Sequence, residues 1–427
     1  MDKTLKVVVA GLGTVGSGVV SVLTEHAQRQ SPVQLAGVLE KDLQGPNARP
    51  WAEAHPEWFQ RSAEELLEDP EVDVIVETIG GRGFAKDLIS AALRAGKHVV
   101  TANKDLIATD GKDLIAWAQA QGRHLLFEAA VAGAIPVLRL LQNYFQNEDV
   151  QGLRGILNGT SNYILSQMET ERLSFEKALS QAQELGFAEQ DPTNDIAGYD
   201  ARYKLVILTY LLTGQWLAPE QIPLEGIDHL DLADFEYAER MGRRIKLIAS
   251  FERDASGIST YVMPLMLDRE EPMAGIHGST NVVTLKGRFS EDITLVGKGA
   301  GSLPTASAIV ADLYKILGGY ESASVSGAPV PLRPFEERSF RHTLRFEVWD
   351  APGIVGKIGS MLAEEHINIY ALEQLPQYHR MDRQNREAVI FTMSLETCPE
   401  GVLQNALKRI NQEPFMVHPA VVLREPV

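Results

Sequence analysis

The stretch Lys6 to Gly18, KVVVAGLGTVGSG, constrains this chain more than any other. An apolar strand-type run (Val7, Val8, Val9, Ala10) meets Gly11, Gly13 and Gly16, then opens into an apolar helical pattern through Val19, Val20 and Leu23. Strand, glycine turn and helix follow in that order. Gly11 allows the tight turn, Gly13 lets backbone approach a pyrophosphate, and Gly16 lets the helix pack close to the strand. The helix N-terminus then offers free N–H groups and positive dipole to phosphates. A lone GxGxxG is a weak signal, and a merely structural turn is its alternative; the strand before it and the helix after it favour a dinucleotide.

Length and charge bound the rest. At 427 residues the chain exceeds what one hydrophobic core usually holds, which predicts two or three domains. The 57 acidic and 40 basic side chains give a net charge of -17, which argues against nucleic acid or an anionic membrane as the main partner. An anionic cofactor is still allowed, because glycine turns and helix dipoles act locally. The single cysteine, Cys398, cannot form an intramolecular disulfide and fits a reducing compartment. Glycines crowd the N-terminal apolar run, which therefore reads as a strand and not as a secretory signal. No apolar run reaches the roughly 20 residues needed to span a bilayer, Leu205 to Leu212 being the longest candidate. A soluble cytoplasmic protein is expected.

Strands and helices alternate after the opening unit. Val33–Leu39 reads as a second parallel strand, Val72–Thr78 as a third and Lys97–Thr101 as a fourth, with a helix over Ala85–Ala95 stopped by Gly96. This alternation predicts a doubly wound sheet, in which ligands sit beyond the carboxyl ends of strands. Glu40, Lys41 and Arg49 follow the second strand with mixed signs, so the choice between NAD and NADP stays open. Lys104 stands just past the fourth strand, where it meets a cofactor or substrate; taken alone, a surface lysine is the commoner reading. Leu125–Ala129 gives a further strand before a helix beyond Pro136. Glu128 lies in apolar surroundings, where a carboxylate is costly unless paired or coordinated. It binds a cation or caps a loop, and spacing does not separate the two.

The character changes near Val150. Gly152–Leu157 is strand-like, and the polar run Asn158 to Asn162 precedes an apolar helix, as a carboxylate-binding loop or an ordinary N-cap would. The densest polar constellation is Glu189 to Lys204, EQDPTNDIAGYDARYK. Lys204 lies one helical turn after Asp200, so the two share a face. Such a pair is usually a surface salt bridge; this one runs straight into the core-like LVILTYLL, where a lysine between carboxylates can serve as a proton donor, and the residues alone weigh the two readings evenly. The runs ISTYVMPLML, NVVTLKG and ITLVGKG predict a mostly antiparallel sheet. Gly297, Gly299 and Gly301 then precede the helix TASAIVADLYKIL, either closing over the cofactor or forming a plain turn. Gly318 to Arg338 reads as a linker. Beyond it the order is β-α-β-β-α-β, a split βαβ sandwich of ferredoxin type.

Together these segments resemble homoserine dehydrogenase, the monofunctional form with a C-terminal ACT-type regulatory domain. The motifs GLGTVGSG, TANK, EAAVAGAIP, NGTSNYIL, AEQDPTNDIAGYDARYK and GKGAGSLPTASAIVADL occur in family order, and VWDAPGIVGKIGSMLAEEHINI resembles the ACT signature. The resemblance implies an α/β chain with a Rossmann-type dinucleotide domain over 1–140, completed by about 300–318. It further implies an α+β substrate and dimerisation domain over 141–299, a linker over 319–340 and a ferredoxin-like ACT domain over 341–427.

It implies reversible NAD(P)H-dependent reduction of L-aspartate 4-semialdehyde to L-homoserine, on the path to threonine and methionine. Lys204 matches the catalytic lysine, Asp200 its partner, and Lys104 a lysine that handles substrate or cofactor. Gly11, Gly13, Thr14, Val15, Gly16, Lys41, Lys104 and Gly301 fall on the cofactor side. Gly159, Thr160, Glu189 and Asp195 fall on the substrate side, the last two toward its ammonium; Asn194 stands where many relatives carry another acid. Glu128, Val131, Gly133 and Ile135 match a sodium site made mostly of backbone carbonyls. A homodimer or homotetramer, with an amino-acid effector such as threonine at the ACT domain, completes the implication. Two rival readings are another nicotinamide-dependent enzyme acting on an amino acid, of aspartate dehydrogenase type, and a non-catalytic metabolite sensor. The ordered motifs weigh against the first and the presence of Lys204 with its acidic neighbours against the second.

Overall fold

The computed structural model describes residues 4–319, 330–381 and 387–427. Two compact units divide the chain: Met1–Gly159, Asp200–Ile222 and Thr280–Val330 form one, and Thr160–Tyr199, Pro223–Ser279 and Pro331–Val427 the other.

The first unit is built on a parallel sheet. Strands β1 (Leu5–Ala10), β2 (Val33–Leu39), β3 (Val74–Glu77), β4 (His98–Thr101) and β5 (Leu125–Leu126) lie in the order β2-β1-β3-β4-β5. Val7, Val8, Val9 and Ala10 are fully buried, the continuous apolar pattern of a strand covered on both faces. Helices α1 (Thr14–Gln28), α2 (Arg49–Ala54), α3 (Ala63–Glu68), α4 (Phe84–Arg94), α5 (Lys104–Ala120) and α6 (Val137–Asn143) follow the strands. Ser62 and Glu65 close a capping box at the start of α3, satisfying two backbone donors reciprocally.

The expected strand over Leu125–Ala129 is corrected to two residues. Glu128–Ala130 forms a 3-10 turn instead, because the Glu128 N–H is taken by Asp312 Oδ2 at 2.9 Å and leaves the ladder. Asp312 belongs to α12 (Ser302–Leu317), whose Ile309, Leu313 and Ile316 join Val19, Val20 and Leu23 of α1 in one core. The start of α12 approaches α1 at Gly18, where an added Cβ would come within 2.7 Å of the Ser302 carbonyl oxygen. The same unit holds the antiparallel order β10-β9-β6, with β6 (Val150–Ile156), β9 (Thr280–Gly287) and β10 (Glu291–Lys298), as well as α10 (Tyr199–Thr213).

The second unit begins with α7 (Gly159–Thr170), α8 (Phe175–Glu184) and α9 (Thr193–Ile196), followed by α11 (Leu232–Arg240) and the long hairpin β7 (Arg243–Asp254) and β8 (Gly257–Asp268). Its C-terminal part runs β11 (Ser339–Trp349), α13 (Ile354–Glu364), β12 (Ile369–Met381), β13 (Glu387–Leu395), β14 (Cys398–Pro399), α14 (Glu400–Ile410) and β15 (Val421–Glu425). Phe346, Phe391 and Met393 pack there against Ile358 and Leu362 of α13 and Leu403 and Leu407 of α14. β15 lies antiparallel to β11 and parallel to β8, so the strands of this unit run β7-β8-β15-β11-β13-β12. Residues 320–329 of the expected linker lie outside the described residues. Among the described residues no helix is long and apolar enough to cross a membrane.

Candidate active site

The glycine turn has the shape its sequence predicts. Gly11 sits at φ +90, and a Cβ there would come within 2.9 Å of the Thr78 carbonyl. At Gly16 an added Cβ would lie 1.8 Å from the Gly11 oxygen, so only glycine lets α1 start this close to β1. Gly13 differs, because its absent Cβ points into open space with nothing within 4 Å. No side chain caps α1 and no acid occupies its first turn. Thr14 is exposed and Val15 half-buried beside this opening. Open space, unclaimed helix N–H groups and a positive dipole end fit a dinucleotide pyrophosphate.

The surrounding loops are pinned from below. Thr78 Oγ1 donates to the carbonyls of Ala10 and Gly11 at 3.0 and 2.8 Å. Glu40, at the end of β2, accepts from Leu12 N at 2.6 Å and from Asp42 N at 3.0 Å, while Lys41 is exposed. Glu77 is fully buried at the end of β3 and accepts from the N–H groups of Ile79 and Gly80 and from Thr101 Oγ1. Asn103 caps α5 through Leu106 N and donates to the Gly81 carbonyl at 2.7 Å. Gly301, at φ +122, is exposed at the start of α12.

Around Asp200 the chain gathers a buried charged cluster. Lys204 Nζ donates to Asp200 Oδ2 and to the Leu157 carbonyl, both at 2.7 Å. Lys104 Nζ lies 3.2 Å from Asp200 Oδ1, and Asn158 Nδ2 donates to Asp200 Oδ2 at 2.8 Å. Asn281 Nδ2 shares the Leu157 carbonyl at 2.9 Å. Side-chain exposure separates the lysines, 9% for Lys204 and 33% for Lys104. Burial alone pushes the Asp200 carboxyl up, but the ammonium groups of Lys204 and Lys104, with the bonds from Lys204 and Asn158, hold it well below the usual carboxylate range. Asp200 is therefore a fixed anion between two cations. Lys104 Nζ also lies 3.8 Å from Asp105 Oδ1, so the cluster sets two ammonium groups against two carboxylates.

The turn after β5 holds the carboxyl pair Glu128 and Asp312. Burial, then the Asp312 charge, pushes Glu128 up to about 8, while Arg139, Lys315 and the Leu138 N–H bond act in the other direction. Val131 and Ile135 are buried. Gly133 sits at φ +52, and a Cβ there would meet the Gly299 and Lys298 carbonyl oxygens at 2.6 and 2.9 Å. Carbonyl oxygens crowd this turn, which is the donor chemistry of a hard cation. Among the described residues no group of three or more His, Cys, Asp or Glu could hold a metal ion, so a carboxylate-rich site is absent there.

In the second unit, Thr160 Oγ1 donates to the Phe187 carbonyl at 2.8 Å, and Gln183 Nε2 donates to the Glu189 carbonyl at 3.1 Å. Glu189 is exposed and Asp195 half-buried on α9. Asp191, one of the four acids of the constellation, accepts from Thr193 N and Oγ1 and so serves as a local turn anchor. Sequence reasoning does not single out Glu77, Asn103, Asn281 or the bond from Asn158 to Asp200. An acid ending the buried run VIVE is the one signal that marks Glu77.

A hydride carrier must be gripped by its phosphates, and the carbonyl it reduces needs a proton source that stays charged inside a fold. The glycine turn offers a phosphate grip and Lys204 with Asp200 a buried ammonium–carboxylate pair, features that belong to a nicotinamide-dependent oxidoreductase. Residues 11–128 match the family model described as homoserine dehydrogenase, NAD binding domain, and residues 136–314 match that described as homoserine dehydrogenase. The chain belongs to the homoserine dehydrogenase family. It is 36% identical to a homoserine dehydrogenase of Bacillus subtilis over 88% of each chain, and 36% identical to that of Neisseria gonorrhoeae over 92% of each. A crystal structure of a homoserine dehydrogenase from Thiobacillus denitrificans superposes with a TM-score of 0.88 at 34% identity, covering 99% of this chain and 98% of the other.

Proposed function

We propose that this enzyme interconverts L-aspartate 4-semialdehyde and L-homoserine, with Lys204 as the proton donor to the carbonyl oxygen. The observation that carries this reading is Asp200 fixed between two ammonium groups within hydrogen-bonding distance. Gly11, Gly13 and Gly16, with Thr14, Val15, Lys41, Lys104 and Gly301, would hold the dinucleotide, which when bound would supply or accept the hydride. Asp200 aims Lys204, and Lys104 adds charge that stabilises the developing alkoxide. In the reverse direction the lysine takes the proton back. Gly159 and Thr160 form the substrate loop, and Glu189 and Asp195 take the substrate ammonium. Turnover of aspartate semialdehyde, measured separately with NADH and NADPH, tests the reading; no oxidation of either cofactor overturns it.

Two finer parts complete the proposal. Glu128, Val131, Gly133 and Ile135 would hold a sodium ion mostly by carbonyl oxygens, an assignment supported by the crowding of oxygens at Gly133. Replacing sodium by choline at equal ionic strength then lowers activity. The C-terminal β-α-β-β-α-β part is an ACT-type module that binds an amino-acid effector, threonine first, between copies in a homodimer or homotetramer. A threonine addition that changes neither activity nor melting temperature removes threonine from that role.

A further inference from the structure

Lys246 is the fourth residue of β7 and is fully buried. A lysine is seldom fully buried without a carboxylate partner, because desolvating its ammonium is costly. Here Glu169, the acid that acts on it, is ion-paired with Arg244 at 3.0 Å. The Lys246 ammonium instead donates to the Ile276 carbonyl at 2.8 Å and lies 3.4 Å from Asn162 Oδ1. Asn162 Nδ2 in turn reaches the carbonyls of Ile276 and Gly278 at 3.3 and 2.9 Å. Ser166 closes the set, accepting from Gly278 N at 3.1 Å and donating to the Asn162 carbonyl at 2.7 Å. The N-terminal half of α7 is thereby clamped to the turn at 276–278.

The clamp has a defined downstream end. Six residues before Ser166 and two before Asn162 on α7 stands Thr160, whose hydroxyl ties the helix start to the Phe187 carbonyl, two residues before Glu189. Moving Asn162 therefore moves the segment that carries both Thr160 and its strap. We infer that Lys246 is a positioning residue for the substrate, acting through Asn162 on the start of α7, and that it has no direct part in the chemical step. This rests on the assignment of Thr160 and Glu189 to the substrate. Burial that depresses the Lys246 amine to about 8 agrees with a charge kept at a cost for what it holds.

The side chain nearest in shape without charge is methionine, and replacing an ammonium buried in this way by an apolar group of similar volume is often neutral or stabilising. In steady-state assays of the full enzyme with L-homoserine, Lys246→Met is expected to raise the substrate KM about tenfold, leaving kcat and cofactor KM within about twofold. Its melting temperature is expected to equal or exceed that of the wild type. Asn162→Ala gives a similar KM, and the double variant shows less than the product of the two effects, since both break one clamp. An unchanged substrate KM in a folded Lys246→Met enzyme overturns the inference, as does a double variant whose effects multiply. Wild-type enzyme that fails to turn over homoserine at all sinks the functional reading itself, a separate result read before any variant.

Discussion

Gly13 and Gly16 are three residues apart and answer to different constraints. Space around Gly16 is closed by the Gly11 oxygen, whereas the place of the missing Gly13 Cβ is open. Gly13 also has φ -64, which alanine adopts without strain. Gly13→Ala is therefore expected to fold with an unchanged melting temperature and to weaken cofactor binding about tenfold, equal to about 1.4 kcal/mol. Gly16→Ala is expected to lose stability as well, since α1 must move off β1. Fluorescence titration with the reduced cofactor beside a thermal melt separates the two; equal stability losses would mean that Gly13 is structural. This contrast is legible in the GLGTVGSG motif because glycine requirements are local. The partners of Asp200 are less legible. Asn158 lies 42 residues away from it and Lys104 further still, and no periodicity records which side chains a fold brings together across such separations.

At the level of elements, β7 combines an apolar strand with one buried ammonium. Desolvation first, and the Arg244 charge as well, depress Lys246 to about 8, against 10.5 for a free lysine, with Glu169 opposing. Between these values the unfolded chain binds more protons than the folded one, so the contribution of Lys246 to stability rises with pH across that window. Below about 8 its full cost is present, about 3 kcal/mol by the size of the shift. Urea unfolding should show Lys246→Met gaining most over wild type at neutral pH, with the gain shrinking toward pH 10. A gain that stays constant across that range would mean that Lys246 titrates alike in the folded and the unfolded chain. Strands such as β8 and β9 are readable from their apolar runs. The shortened β5 is not, because Asp312 of a distant helix takes the Glu128 N–H, a tertiary bond that overrides local pattern.

Over the whole molecule, the element sequence of both units follows from alternating patterns, while the seam of β15 along β8 does not, since strand order is not written in periodicity. That seam carries a charged network: Arg424 meets Glu400 at 2.7 Å and Glu225 at 2.7 Å, and Glu400 also meets His342 at 3.0 Å. Burial pushes Glu400 up, but His342 and Arg424 outweigh it and hold the carboxyl well below the usual range. A depressed carboxylate stabilises the fold above its unfolded value of about 4.3 and loses that contribution as pH falls below it. Glu400→Gln should thus cost about 3–5 kcal/mol near neutral pH, leaving Arg424 underpaired, and the deficit should narrow toward pH 3. A deficit independent of pH would assign the loss to packing.

The chemical step turns on Lys204. Its ammonium, held by Asp200, is assigned the proton transfer, and general acid catalysis of this kind contributes roughly 10²- to 10⁴-fold. The direct measurement is kcat for aspartate semialdehyde reduction in Lys204→Ala, with the dissociation constant of the reduced cofactor determined on the same protein. The expected result is a kcat that falls within that range while cofactor affinity stays within about twofold. A variant that keeps its turnover, or loses cofactor binding in proportion, would remove Lys204 from the chemical step.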